Sequence, residues 1–230
     1  MYFNFTFLKF LTNPQDLADN LQKSSVRGFG KRVVLVFLIG VFLFGFRSLW
    51  GMNTVSLTPY LTTMTTADYT LARFASLFGS IIWAVIYSSF HLFGFAYILS
   101  YITRIPFKKL LPMQLLMIAL LLIEKGLVFL VFAMKGVTAD YSFLSLGPLA
   151  ATFLEQPFLI LFFNQLTITT MLIIGYQYSF IQKIGEIIQR QRLLWTLIGI
   201  HVLMALFTAS IGLLPVEDLF HAITGGGGNE

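Results

Sequence analysis

The chain has 230 residues, of which 57% are hydrophobic and 11% are charged, with 25 Phe and a net charge of +5. Soluble domains carry about 25% charged residues, so this composition excludes an ordinary soluble domain and indicates a protein with the lipid bilayer as its solvent. The positive charge is typical of basic loops facing an anionic cytoplasmic leaflet, and it does not indicate nucleic-acid binding.

The N-terminal arm, residues 1–32, is Phe-rich but too short in its apolar stretch to span a bilayer. Asn13 followed by Pro14 is typical of an N-cap and a first helical residue, and Asp16 suits the first turn. Leu17 and Leu21 fall on one face of that helix. We therefore predict a short interfacial helix on the cytoplasmic surface. The alternative is a solvated arm that packs nowhere.

Five apolar runs after the arm are each long enough to cross a hydrocarbon core of about 30 Å. They are residues 33–50, 71–101, 110–134, 158–180 and 193–214. The segment between the first two contains Asn53 and Pro59, and the segment 141–154 is semi-apolar and contains Gly147-Pro148. Residues 215–230 form a short tail with four consecutive Gly. The sequence thus predicts an all-α, polytopic membrane bundle of five helices.

Lys and Arg alternate between the two sides of these runs, which sets the orientation. One side carries Lys9, Lys23, Arg27, Lys31, Arg32, Arg104, Lys108, Lys109, Lys183, Arg190 and Arg192. The other side carries Lys135 and the acidic residues Asp68, Asp140, Glu155, Glu217 and Asp218. We predict a cytoplasmic N-terminus and an extracellular C-terminus. Arg47 and Arg73 are expected to snorkel to the outer interface or to pair with Asp68.

Charged and polar residues inside the runs are costly in hydrocarbon and so mark candidate sites. The candidate intramembrane cluster comprises Glu124, Lys125, His91, Asn164, Gln165 and His201. Glu124 and Lys125 point roughly 100° apart around their helix, so each needs another partner, a wet cavity or, for Glu124, a bound proton. The cluster either conducts a proton or binds a solute, or it supplies interhelical hydrogen bonds that fix the packing.

Small residues recur along the second run at the spacing of a helix-packing stripe. They are Ala72, Ser76, Gly79, Ser80, Ala84 and Ser88, and the fifth run carries a similar set in Ala205, Ala209 and Gly212. The stripes predict close helix approach, either within the chain or with another membrane protein.

Motifs for enzymatic chemistry are absent. The sequence contains no Cys, no metal-ligand spacing among His91, His201 and His221, and no nucleotide-binding or hydrolase motif. Ser88, Ser89 and His91 lie too close along one helix to act as a nucleophile and its base. We expect a non-enzymatic protein without a cofactor or a metal.

Five spans, a cytoplasmic N-terminal arm and a very short outer C-terminus together resemble the layout of the Yip (Ypt-interacting protein) family of integral membrane proteins. The segment 7–14 is similar to the aromatic-then-Pro entry of bacterial members, 105–109 to the short basic turn before their third span, and Gly175-Tyr176 to a Gly-Tyr pair of eukaryotic members. Ser145-Leu146-Gly147-Pro148 matches only part of the Asp-Leu-x-Gly-Pro motif of eukaryotic members, which argues against Rab-type binding.

Among bacterial members, the size and layout resemble a small membrane subunit associated with an ABC-type exporter that protects cells from a toxic peptide. The resemblance implies an accessory protein of the bacterial cytoplasmic membrane, whose partners are the permease, the ATPase and a periplasmic-adaptor-like subunit of that exporter. Apart from the resemblance, we expect contact with the lipid bilayer and with other membrane proteins or other copies of the chain. Two alternatives remain. One is a small proton-linked or solute transporter that uses Glu124, Lys125 and His91, and the other is a purely lipid-organising protein.

Overall fold

The computed structural model describes residues 2–52, 57–58, 61–62, 65–138, 141–185 and 189–213. Several sequence features lie outside these residues, namely Asn53, Pro59, Asp140, Glu217, Asp218, His221 and the tail 215–230 with its Gly-rich stretch.

The described residues are mostly helical, in agreement with the predicted all-α class. The arm holds strand β1 (Tyr2–Phe3), helices α1 (Phe7–Thr12) and α2 (Pro14–Lys23), and strand β2 (Ser25–Val26), which pairs in parallel with β1. The longer helices follow as α3 (Phe29–Trp50), α4 (Thr66–Ser89), a π-helical segment (Phe90–Gly94), α5 (Phe95–Thr103) and α6 (Phe107–Lys135). The chain continues with α7 (Gly147–Phe153), α8 (Pro157–Gln165), α9 (Ile168–Ile184) and α10 (Arg190–Gly212).

Four helical stretches in the described residues are long and apolar enough to cross a membrane. They are α3, the continuous Thr66–Thr103 stretch that joins α4 to α5, α6 and α10. They correspond to the first, second, third and fifth predicted runs, each within a few residues. The predicted fourth run, 158–180, is instead divided between α8 and α9. With 9 and 17 residues, α8 and α9 are both shorter than the roughly 20 residues of a typical spanning helix, and neither is among the four stretches.

Helix ends follow the local sequence. Thr65 caps α4 by accepting a hydrogen bond from the backbone N–H of Asp68 at 3.2 Å, and its hydroxyl donates to the Asp68 carboxylate at 2.7 Å. Arg73 donates to the carbonyl of Leu49 at 3.1 Å, so the predicted pairing with Asp68 is wrong for this arginine. Gly136 caps the C-terminal end of α6, and its φ of 66° suits a residue without a Cβ.

The arm packs into the bundle and does not lie loosely on it. Asn13 caps α2 as predicted, accepting from the Asp16 N–H at 3.2 Å. Leu17 and Ala18 are fully buried, and α2 packs along α9. The Tyr176 hydroxyl donates to the Phe10 carbonyl at 2.5 Å. The apolar face of α2 therefore meets protein, so the alternative of a solvated arm that packs nowhere is wrong. The place of this helix at the cytoplasmic surface stays a prediction.

Candidate functional site: a polar cavity at a helix break

The break between α8 and α9 is built by a capping residue within an apolar run. Leu166 and Thr167 adopt extended backbone conformations between the two helices. The Thr167 hydroxyl accepts a hydrogen bond from the Thr170 N–H at 3.1 Å, which makes Thr167 the N-cap of α9. A hydropathy pattern does not reveal this signal, because Thr is tolerated in apolar helices.

Backbone groups freed by the break find partners in the segment 141–146. The Leu146 N–H donates to the Leu166 carbonyl, and the Ile168 N–H donates to the Leu144 carbonyl, both at 3.1 Å. Non-helical backbone at membrane depth is tolerated only where protein or an enclosed polar cavity satisfies it. The semi-apolar segment therefore supplies hydrogen-bond partners for the backbone of the broken helix.

Asn164 fastens this segment to α8. Its side-chain oxygen accepts from the Ser142 N–H at 2.9 Å and from the Ser145 hydroxyl at 2.7 Å. Gly147 permits the approach, because a Cβ at that position would lie 2.7 Å from the Asn164 oxygen. Gly147 is thus required by close packing between α7 and α8.

A cavity of about 170 Å³ lies beside the break. Its lining combines three charged side chains with mainly polar ones: Arg47, Tyr87, Leu121, Glu124, Lys125, Val128, Tyr141, Ser142, Asn164, Gln165, Thr167 and Thr170. Glu124 is 8% exposed and accepts a hydrogen bond from the Thr167 hydroxyl at 2.9 Å. The Lys125 ammonium lies 5.1 Å from the centre of the Tyr87 ring, within cation–π range.

Arg47 belongs to this cavity. Its Nε is buried and has no hydrogen-bond partner, and its guanidinium lies 5.8 Å from the centre of the Phe44 ring. The expectation that Arg47 snorkels to the outer interface is therefore wrong. Sequence reasoning missed it because Arg47 stands near the end of the first run, where snorkelling is common.

The cavity carries an excess of formal positive charge, with two cations, Arg47 and Lys125, against one carboxylate, Glu124. Within the described part of the chain, the ion pairs are Lys9–Asp16 at 3.4 Å and Lys183–Asp19 at 3.2 Å, both involving the arm. No carboxylate lies within ion-pair distance of either cavity cation in that part. The arrangement favours binding of an anionic group.

An adjoining cleft of about 510 Å³ contains the two histidines of the predicted cluster. His91 lies in the π-helical segment, and its ring centre is 4.4 Å from that of Tyr87. The His201 Nε2 is 3.1 Å from the Gln177 Oε1, and its ring lies 5.0 Å from that of Phe95. Most of the cleft lining is apolar.

The structure therefore divides the six predicted cluster residues between two adjoining spaces. Glu124 and Asn164 line the polar cavity alone, while His91 and His201 line the cleft alone. Lys125 and Gln165 line both spaces. The polar lining residues that sequence reasoning did not assign to this site are Arg47, Tyr87, Tyr141, Ser142, Thr167 and Thr170.

The small-residue stripe of the second run packs within the chain for most of its length. Ser80, Ala84 and Ser88 are buried, and a Cβ on Gly40 of α3 would meet the Ser88 hydroxyl at 3.3 Å. Ala72 and Ser76 are half-buried. Gly79 is exposed with open space around it, so it does not take part in packing within this chain. In α10, Ala205 and Ala209 are buried as expected.

No protein-family model, curated protein or solved structure matches this chain. The resemblance to the Yip family therefore stays a prediction.

Proposed function

We propose that the protein binds a solute bearing an anionic group inside the membrane and belongs to the transporter class. The observation that carries this proposal is the polar cavity beside the helix break, with Arg47 and Lys125 facing one carboxylate. Broken helices that line a polar site are the common architecture for solute recognition in membrane transporters.

The depth of the cavity supports a function beyond packing. Gly40 lies halfway along α3, about 17 Å from its start, and its nearest neighbours include Ser88 and Leu122. Glu124 follows two residues after Leu122, so Glu124 and Lys125 lie well inside α6, while Arg47 lies three residues before the end of α3. Interhelical hydrogen bonds alone contribute about 0.6 kcal/mol each in membranes. That gain does not offset the cost of placing Glu124 and Lys125 at this depth.

We further propose five crossings, with α8 and α9 together as the fourth, the N-terminus in the cytoplasm and the C-terminus outside a bacterial cell membrane. The shared location of the basic segments supports this orientation. Leu17 of the arm, Ile105 before α6, Ile181 of α9 and Leu193 of α10 belong to one buried cluster. The basic residues flanking them therefore gather at one end of the molecule.

The accessory-subunit function, with an ABC-type exporter as partner, stays a proposal with less support. This prediction depended partly on the small-residue stripe of the second run as a contact surface for another protein. Ser80, Ala84 and Ser88 are used inside this chain, so that support is reduced.

Thermal unfolding in detergent tests the anion site with inorganic phosphate, acetate and methylammonium as probes. We expect phosphate or acetate to raise the melting temperature, since a ligand that binds only the folded state stabilises it. Methylammonium should not. Arg47→Gln and Lys125→Gln should abolish the shift. Arg73→Gln is the matched control, because Arg73 lies outside the cavity and bonds to the Leu49 carbonyl.

Flux in liposomes tests the transporter class separately. Lys125→Gln should insert and fold but should lose uptake of the anion that gives the thermal shift, because one cation then faces one carboxylate in the cavity. Unchanged uptake by this variant, or an equal shift with methylammonium, would contradict the proposal.

A further inference from the structure

The apolar cleft and the polar cavity adjoin each other and share part of their walls. Five residues line both of them: Tyr87, Leu121, Lys125, Gln165 and Thr170. A molecule in the polar cavity therefore lies against side chains that also line the cleft. A small hydrophilic anion fills only the polar part and leaves the apolar walls uncovered.

The cleft opens sideways, toward the surface that faces lipid. At its rim, Trp83 is 47% exposed and Phe207 is 61% exposed, while Met117 and Ile173 in its inner wall are each 2% exposed. Along the second helical stretch it reaches from Trp83 to Phe95, about 18 Å at the rise of an α-helix. This elongated shape suits a hydrocarbon chain lying along the helices.

The floor of the cleft holds an unused hydrogen-bond donor. Gln114 is 1% exposed, lines the cleft, and its Nε2 has no hydrogen-bond partner. A buried amide without a partner is costly. The ester carbonyl of an acyl chain is an acceptor of the right kind for it.

We propose that the ligand of this site is a membrane lipid with an anionic headgroup, which enters sideways between α4 and α10. The headgroup binds between Lys125 and Arg47 in the polar cavity, and an acyl chain fills the cleft against Met117 and Ile173. The inference rests on the proposed anion site and names its substrate class.

Fluorescence quenching in lipid nanodiscs tests this assignment with the full chain. A variant with Trp50→Phe and Trp195→Phe keeps Trp83 as the reporter in the cleft, and its counterpart with Trp50→Phe and Trp83→Phe keeps Trp195. The nanodiscs contain phosphatidylcholine with a small fraction of either brominated phosphatidylglycerol or brominated phosphatidylcholine. We expect the anionic lipid to quench Trp83 more strongly, with local enrichment on the order of fivefold for one added charge contact. Trp195 should show no preference.

Two further variants locate the lipid. Lys125→Gln should remove the preference for the anionic lipid at Trp83. Thr208→Phe, at the exposed rim of the cleft, should reduce quenching by blocking the chain. Ser210→Phe is its control, because Ser210 is also exposed on α10, bonds back to its own helix like Thr208, and does not line the cleft.

Equal quenching of Trp83 by the two lipids would overturn the proposal, as would equal effects of Thr208→Phe and Ser210→Phe. If lipid preference is absent while the thermal shift with phosphate or acetate persists and depends on Arg47, the lipid assignment fails and the small-anion site stands. If both the preference and the shift are absent, both proposals fail.

Discussion

Thr167 links the fold to the site through a single hydroxyl group. The oxygen accepts the Thr170 N–H and starts α9, while its hydrogen is donated to the Glu124 carboxylate at 2.9 Å. Thr167 thus starts α9 after the helix break and also orients the Glu124 carboxylate in the cavity. Loss of the hydroxyl removes both interactions without changing the volume of the side chain.

We expect Thr167→Val to lower the free energy of unfolding by roughly 1–2 kcal/mol, because an N-cap and a buried hydrogen bond are lost together. Thr167→Ser keeps the hydroxyl and should stay close to the wild type. Unfolding in mixed micelles with increasing SDS, followed by circular dichroism, measures the difference. Equal stability of the Val and Ser variants would show that the capping geometry has no energetic role.

The sequence predicts those residues of the site whose polarity contrasts with the apolar run around them. Glu124 and Lys125 lie in the middle of an apolar run, so hydropathy alone marks them as costly. Asn164 and Gln165 are marked for the same reason. Arg47 is not, since a basic residue three positions from the end of its helix has an ordinary explanation. Its role depends on side-chain direction, which a linear pattern does not contain.

At the scale of elements, α2 shows that local sequence predicts a helix but not the surface against which the helix packs. The N-cap at Asn13, Pro14 and the Leu17–Leu21 face are all local, and the structure confirms the helix they predict. The surface that covers this face is a matter of tertiary packing. Helix α9 provides this surface. The side-chain amide of Gln22 also donates a hydrogen bond to the Lys183 carbonyl of α9 at 3.1 Å.

A pair of leucines in the arm tests how firmly it is docked. Leu17 is fully buried, whereas Leu8 is 77% exposed. Leu17→Ala should lower the free energy of unfolding by about 2–5 kcal/mol, the range for truncated core leucines, and Leu8→Ala should have little effect. Chemical denaturation in detergent compares the two variants. Similar small effects for both would place α2 outside the packed core.

The division of the fourth run into α8 and α9 has a further physical reason. Hydropathy averages over a window and does not register two extended residues, Leu166 and Thr167. The partners that make the break possible, Leu144 and Leu146, lie about 20 positions earlier in a segment without a clear pattern. A break that depends on a distant segment is therefore invisible to local sequence rules.

At the scale of the whole molecule, charge gathers at one end of the bundle. The arm, the connection 104–106 and the C-terminal end of α9 meet there, and the Lys183–Asp19 ion pair at 3.2 Å joins two of them. The opposite end carries the connection that leaves α6 after Lys135 and enters the bundle as 141–146. If the basic end faces the cytoplasm, α8 and α9 must together carry the chain back across the membrane.

The absence of Cys makes this topology directly testable, since each introduced thiol is the only one present. Thr138→Cys lies after α6 and Gln191→Cys lies at the start of α10, and both positions are exposed. A membrane-impermeant maleimide added to intact cells should label position 138, which we place outside. Position 191 should react only after the membrane is permeabilised, because the basic end is held inside. Labelling of both positions in intact cells would show that α8 and α9 do not complete a crossing. Labelling of 191 alone would mean that the bundle is inverted.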